Sequence, residues 1–274
     1  GTAIKSQFFS AVQIIGTRGT GAGQFNKPRS VAVDAEDNLY VVDMTGRVQK
    51  FSPEGAFLTS WQMPQTDLGK PKGMCRDADG HIIVIEPHYS RVNHFSKEGK
   101  LLHQWGNTGT NQGQVMFPRA AAVNSQGQIY LSEYGKVERV QKFSARGASF
   151  LAVFGQAGSI AGHFNRPEGL GIDAQDRLYV ADSCNHRIQI FSADGQLLRT
   201  YGRAGSGPGE LSYPYDVQID EAARQYVCEF GNSRVQIFDE NGHALEILGG
   251  LGPAPSGDPR HPRLKLRRLD GVAS

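Results

Sequence analysis

Five carboxylates recur at one position of an internal repeat: Asp43, Glu86, Glu133, Asp182 and Glu229. Gathered at one level around an axis, they would supply the hard oxygen ligands that a divalent cation takes. Each is followed four to six residues later by an arginine, in turn Arg47, Arg91, Arg139, Arg187 and Arg234. A carboxylate held by that guanidinium, or by backbone N–H groups of the next loop, is a structural pair. This is the stronger reading of the acids. A second set follows a recurring proline: Arg29, Lys72, Arg119, Glu168 and Tyr215. A repeat fold needs nothing specific at such a rim position, so three successive cations mark a basic sector beside an acidic and aromatic one. Ion pairing with neighbouring carboxylates is the competing reading. A third set lies in short loops that carry His88, Tyr89, Tyr134, Lys136, Asn185, His186, Phe230 and Asn232. Aromatics beside cations suit stacking on planar ligands or a protein partner's contact points. Packing within the loop is the plain alternative for any one of them. The candidate binding residues are therefore Arg29, Lys72, Arg119, Tyr89, Tyr134, His88, His186 and Phe230, and no catalytic or metal-ligating residue is nominated.

The elements that must position these sets repeat with them. PRSVAVDAEDNLYVVD starts at Pro28, PKGMCRDADGHIIVIE at Pro71 and PRAAAVNSQGQIYLSE at Pro118. PEGLGIDAQDRLYVAD starts at Pro167 and PYDVQIDEAARQYVCE at Pro214, giving a period of 43 to 49 residues. Each unit continues into an R-[VI]-[QN]-x-F run, then a G-x-x-L-like run such as GQLLRTYG. Short β-rich runs, bounded by Asp, Gly and Ser turns, read as four antiparallel strands. No helical period runs through any unit. Four strands per unit at this period make a propeller blade. The clear repeats span 28–61, 71–106, 118–155, 167–202 and 214–250 of a single domain, 1–274. In such a blade the end of the second strand, the loop after it and the start of the first strand share one face, the top, so all three candidate sets meet there.

The pattern resembles the NHL repeat family, most fully in PEGLGIDAQDRLYVADSCNHRIQIFSADGQLLRTYG at 167–202. The resemblance implies an all-β propeller, usually six-bladed, and a sixth blade is accordingly expected. Gly250 to Pro262 repeats the twelve-residue spacing of Gly202 to Pro214, yet RLKLRRLDGVAS follows without the middle strands. A degenerate sixth unit, 262–274, closed by SAVQIIG at 10–16 as an outermost strand, is the expected solution, since an open blade leaves edge groups unpaired. A basic tail is the alternative for 262–274.

The resemblance also frames function. Relatives of the NHL type use the top face for protein or single-stranded RNA partners, which implies a non-catalytic scaffold. Other six-bladed relatives are metal-using amidating lyases and lactonase-like hydrolases, which supply the alternative of an enzyme working at the channel mouth. No cofactor is expected, a divalent metal in the channel being the exception that the alternative requires. Charges are nearly balanced, 29 Lys+Arg against 27 Asp+Glu, so nothing global demands nucleic acid or membrane. A protein partner is favoured over single-stranded nucleic acid, with no membrane, and the oligomeric state stays open. The G-x-G-like strings do not lie between a parallel strand and a helix, which argues against phosphate cradling by a glycine loop. No G-x-S-x-G occurs, and the scattered histidines fall short of a zinc set. Three cysteines without C-x-x-C spacing, and an N-terminal GTAIKSQFFSAV without a signal-like apolar run, suit a reducing, cytoplasmic setting. A leader already removed would leave no trace of itself.

Overall fold

The computed structural model describes residues 6–10, 13–147 and 149–250. Five four-stranded antiparallel sheets follow one another along the chain, each with its strands in sequence order. Blade 1 comprises Ser30–Val33, Leu39–Val42, Arg47–Phe51 and Phe57–Gln62. Blade 2 comprises Met74–Arg76, Ile82–Glu86, Arg91–Phe95 and Leu101–Trp105. Blade 3 comprises Pro118–Val123, Ile129–Glu133, Arg139–Phe143 and Phe150–Phe154. Blade 4 comprises Pro167–Ile172, Leu178–Asp182, Arg187–Phe191 and Leu197–Tyr201. Blade 5 comprises Pro214–Ile219, Gln225–Glu229, Arg234–Phe238 and Ala244–Gly249. The first strands of successive blades pack side by side from blade 1 to blade 5, which places them innermost.

The strands form where β-branched and aromatic residues cluster, and the second and third strands are the most deeply buried. In blades 1 to 4, one aromatic from the outermost strand is set against a phenylalanine of the following blade. Trp61 meets Phe95 at 5.7 Å, Trp105 meets Phe143 at 4.9 Å, and Tyr201 meets Phe238 at 5.0 Å between ring centroids. Phe154 and Phe191 stack in parallel at 6.4 Å. These contacts carry the apolar core from blade to blade.

The chain before blade 1 uses the same device. Ile15 packs with Phe25, Leu39, Val41 and Phe51, the place that an outermost-strand aromatic takes in the later blades. Phe8 and Phe9 pack on Tyr226, Val235, Ile237 and Leu248 of blade 5. Gln7 donates its backbone N–H to Glu246 at 3.1 Å. The described N-terminal residues therefore touch both ends of the five-blade array.

The expected sixth blade needs correction, since the described residues form five. Residues 262–274, and 11–12 of the expected closing strand, lie outside the described residues. Residues 13–16 adopt no strand; the first strand is Thr17–Arg18, paired in parallel with Gln24–Phe25. The physical reason lies in the sequence: after Pro262 there is no YVAD-like or RVQxF-like run from which middle strands could form.

Candidate functional site

The five acid–arginine pairs all form, and the side chains explain why they recur. Arg91 Nε donates to Glu86 at 2.6 Å, Arg139 to Glu133 at 2.7 Å, Arg187 to Asp182 at 2.8 Å and Arg234 to Glu229 at 2.6 Å. Arg47 approaches Asp43 at 3.4 Å. All five acids are buried. In four blades the pair also anchors the preceding inter-blade loop. Arg187 donates to the carbonyls of Ile160 and His163, while the Asn165 N–H donates to Asp182. Arg139 and Arg234 repeat the pattern on Thr110 and Gln114, and on Gly207 and Glu210. A glutamine of each third strand (Gln49, Gln141, Gln189, Gln236) accepts from a loop glycine, Gly23, Gly113, Gly162 or Gly209. Those glycines sit at φ of 71° to 83°, where other residues are strained.

Blade 2 is the exception. Trp61 to Pro71 is ten residues, against thirteen from Trp105 to Pro118, and the Gly-rich loop is missing. Glu86 Oε1 and Arg91 Nη2 are consequently buried without a protein partner. The acid set is thus spent on architecture. Asn185 and Asn232 serve the same purpose, each donating to its blade's acid and to a loop carbonyl.

The second set behaves differently. Arg29, Lys72 and Arg119 open three adjacent blades next to the innermost strands, each partly buried. Gly73 lets the neighbours close up, since a Cβ there would lie 2.4 Å from the Arg119 carbonyl oxygen. Gly169 does the same for Glu168 and Tyr215, its missing Cβ falling 2.8 Å from the Tyr215 carbonyl. Among the described residues none of the three cations makes a side-chain hydrogen bond or ion pair, and the Nε of Arg29 and of Arg119 is buried without a partner. Arg119 instead lies over the Tyr134 ring, its Cζ 3.7 Å from the centroid, and Arg166 covers the same ring at 5.0 Å. Arg166 is bound to the buried Glu168 at 2.8 Å.

Electrostatics ties the group together. Burial pushes the Lys72 ammonium down to about 8, Glu168 pulling it up and Arg119, Arg29 and Arg166 pressing it further down. Burial lowers Arg119 as well. Burial holds Asp216, on the inner strand of blade 5, up near 6, its backbone contact to Val217 opposing the shift. Burial raises Tyr215, with Glu168 adding to the effect. One mouth therefore collects four cations, two acids and two phenols.

The loop set is divided by the structure. Tyr134 belongs to this mouth. Tyr89 does not, because its ring lies under Arg91 at 4.2 Å and its hydroxyl accepts from the Leu68 N–H. His88 is exposed and meets Phe117 edge-on at 6.1 Å. His186 packs on Tyr213 at 4.6 Å, and Phe230 stands 75% exposed. His88, His186 and Phe230 all lie in the loops after their blades' second strands. Sequence reasoning missed Arg166, Phe117 and Tyr213, which share one signal: each precedes a repeat proline. They and Lys27 have positive φ, which sets the direction of these bulky side chains.

On the opposite face, one group among the described residues has the spacing to hold a metal: Asp77, Asp79 and His81. Asp77 repeats Asp34, Asp173 and Asp220, which cap the same turn and accept from Tyr40, Tyr179 and Tyr226. Blade 2 has Ile83 at the tyrosine position, and His94 approaches Asp77 at 3.5 Å instead. Turn capping accounts for Asp77 without an ion.

Comparison with known proteins agrees with the repeat. The NHL repeat profile matches residues 164–191, the first three strands of blade 4. Protein brain tumor of Drosophila melanogaster is 29% identical over 130 residues, covering 47% of this chain and 12% of that protein. NHL repeat-containing protein 3 of Mus musculus is 28% identical over 182 residues, covering 60% of this chain and 51% of that protein. The chain thus spans about an eighth and about half of these relatives' lengths. Among solved structures, a gluconolactonase, XC5397 of Xanthomonas campestris, superposes with TM-score 0.62 at 17% identity, covering 84% of this chain and 78% of that one. Virginiamycin B lyase of Staphylococcus aureus gives 0.59 at 13% identity, covering 79% and 68%. Likeness at these identities carries the propeller fold. The chain thus carries an NHL repeat in blade 4 and folds as a β-propeller similar to NHL-repeat proteins.

Proposed function

We propose that this propeller is a non-catalytic binding platform whose top face engages an acidic group of a protein partner. The observation that carries the reading is the trio Arg29, Lys72 and Arg119, partly buried cations left without ion pairs while all five third-strand arginines have them. Leaving buried donors unpaired costs stability, so an uncompensated cluster suits a ligand that completes it. The cations crowd one mouth instead of tracking along a groove, which suits a single anionic group better than an extended nucleic-acid backbone. The loop residues Phe117, Tyr213 and Phe230 offer the apolar contacts that protein interfaces use. The alternative, a metal-assisted lyase or lactonase-like hydrolase, requires free oxygen ligands at the channel. The recurring acids are bound to arginines, and cations at the mouth repel a divalent ion.

The test is binding by the triple variant Arg29→Gln, Lys72→Met, Arg119→Gln. Quantitative affinity capture, followed by calorimetry with each purified partner, should show loss of the top-face partner and a shallow salt dependence. A slope steepening by roughly 0.7 per phosphate contact would identify single-stranded nucleic acid instead.

A further inference from the structure

The mouth is chemically more specific than a basic patch, and its charges can be counted. Arg29, Lys72, Arg119 and Arg166 oppose Glu168 and Asp216. Arg166 and Glu168 form a salt bridge with each other, and their charges cancel. Three cations then face the one remaining carboxylate, Asp216, leaving a net charge of about +2 at neutral pH when all ionise. A monocarboxylate would neutralise half of that, whereas a phosphate group carries −1.5 to −2. The donors suit it too. Arg29 and Arg119 each hold a buried Nε–H with no acceptor, and Lys72 supplies three more N–H groups with no partner. Guanidinium N–H groups spaced around an ammonium are the donors that tetrahedral oxyanions take. Tyr134 positions one of them, because the Arg119 guanidinium lies over its ring at 3.7 Å.

We infer that Arg29, Lys72 and Arg119 form a site for a tetrahedral dianion of the phosphate type, either free or carried by a partner. This rests on the reading of the top face as the contact surface and names the chemistry that the mouth selects. Lys72 makes occupancy depend on pH. The groups facing it are Glu168, Arg119, Arg29 and Arg166. Asp216 titrates below the window from pH 7 to pH 9.5, and Tyr215, raised by burial, titrates above it. Losing the Lys72 proton removes one of the three cations, so affinity falls as pH rises.

Sulfate is the cleanest probe, because its charge is constant across the window. Calorimetric titration of the intact chain should give stoichiometric binding at pH 7 that weakens severalfold by pH 9.5. Lys72→Met should lose at least tenfold at pH 7 and lose the pH dependence with it. Arg119→Gln should lose at least tenfold and keep the dependence, which separates a ligand-binding lysine from one that merely supports the fold. Melting curves of both variants should stay near wild type. Inorganic phosphate and a phosphoserine peptide then distinguish the source. A peptide binding at least tenfold more tightly than phosphate places the group on a protein partner, and equal affinities place it on a small molecule. Sulfate binding that is absent, or unaltered by both substitutions, overturns the inference. Partner capture that still fails in the triple variant would leave the platform reading standing without it.

Discussion

Replacing Arg187 with alanine isolates the structural role of the acid–arginine pairs. The change removes the 2.8 Å contact to Asp182 and the donations to Ile160 and His163. Asp182 is fully buried but keeps three other donors: the Asn165 N–H, Asn185 Nδ2 and Gln189 Nε2. Breaking a buried pair costs about 3–5 kcal/mol; Arg187 is partly exposed, and with the remaining donors on Asp182 this places the loss at the lower end, about 3 kcal/mol. For a domain somewhat above 250 residues, that corresponds to a melting temperature lower by roughly 6–10 °C. Burial holds the Asp182 carboxyl above its ordinary range, opposed by Asn165, Asn185 and Arg187. Without Arg187 one of the lowering influences is gone and the carboxyl rises further. A folded-state value above the unfolded one means that the folded form favours the protonated acid. The loss should therefore shrink as pH falls from 7 towards 5. Adding Asp182→Asn to Arg187→Ala should recover part of the loss at pH 7. Calorimetric melts of the two single variants and the double variant read all three effects. A melting temperature within 1 °C of wild type for Arg187→Ala, by the same scale, would refute the structural reading of these acids.

Three further outcomes follow from the same geometry. Deleting residues 1–16 removes Phe8 and Phe9 from blade 5 and Ile15 from blade 1, so the melting temperature should fall by several degrees; an unchanged melt would show that the segment does not join the ends of the array. Gly73→Ala drives a methyl group against the Arg119 carbonyl, and should cost about 1–3 kcal/mol while weakening sulfate binding, with retention of both properties contradicting the close approach. Dialysis against a chelator should leave the melt and elemental content unchanged, and a stoichiometric divalent metal lost on Glu86→Gln or Glu229→Gln would favour the enzyme reading.

The blades were legible because their signals are local. Proline at the head, a β-rich run, an Asp or Asn turn and an R-[VI]-[QN]-x-F run each act within a few residues, and the strands begin and end where those signals fall. The basic trio was also legible, since position in the repeat alone puts Arg29, Lys72 and Arg119 on neighbouring blades. What escaped depends on geometry between blades. Whether the trio is ion-paired turns on Glu168 being claimed by Arg166, whose direction follows from a positive φ before Pro167. Asp216 sits in the same field only because Gly169 lets blades 4 and 5 close together. Tyr89 and Tyr134 both lie in the loop after a second strand, yet Tyr134 directly follows its blade's acid while Tyr89 comes three residues after its own, and Tyr89 meets Arg91 where Tyr134 meets Arg119. The sixth blade was inferred from the family resemblance and from spacing, and neither supplies strand-forming residues.

The central claim is that the unpaired cations at the mouth are the contact surface. It is tested most directly by comparing wild type with Arg29→Gln, Lys72→Met, Arg119→Gln in quantitative capture, after melting curves establish that the variant is folded. The account predicts that a defined partner, recovered by wild type and confirmed by calorimetry, binds the triple variant at least a hundredfold more weakly. It also predicts that Phe57→Ala, altering an exposed residue on the outer circumference of blade 1, leaves that affinity unchanged. A folded triple variant that binds every wild-type partner with undiminished affinity would contradict it.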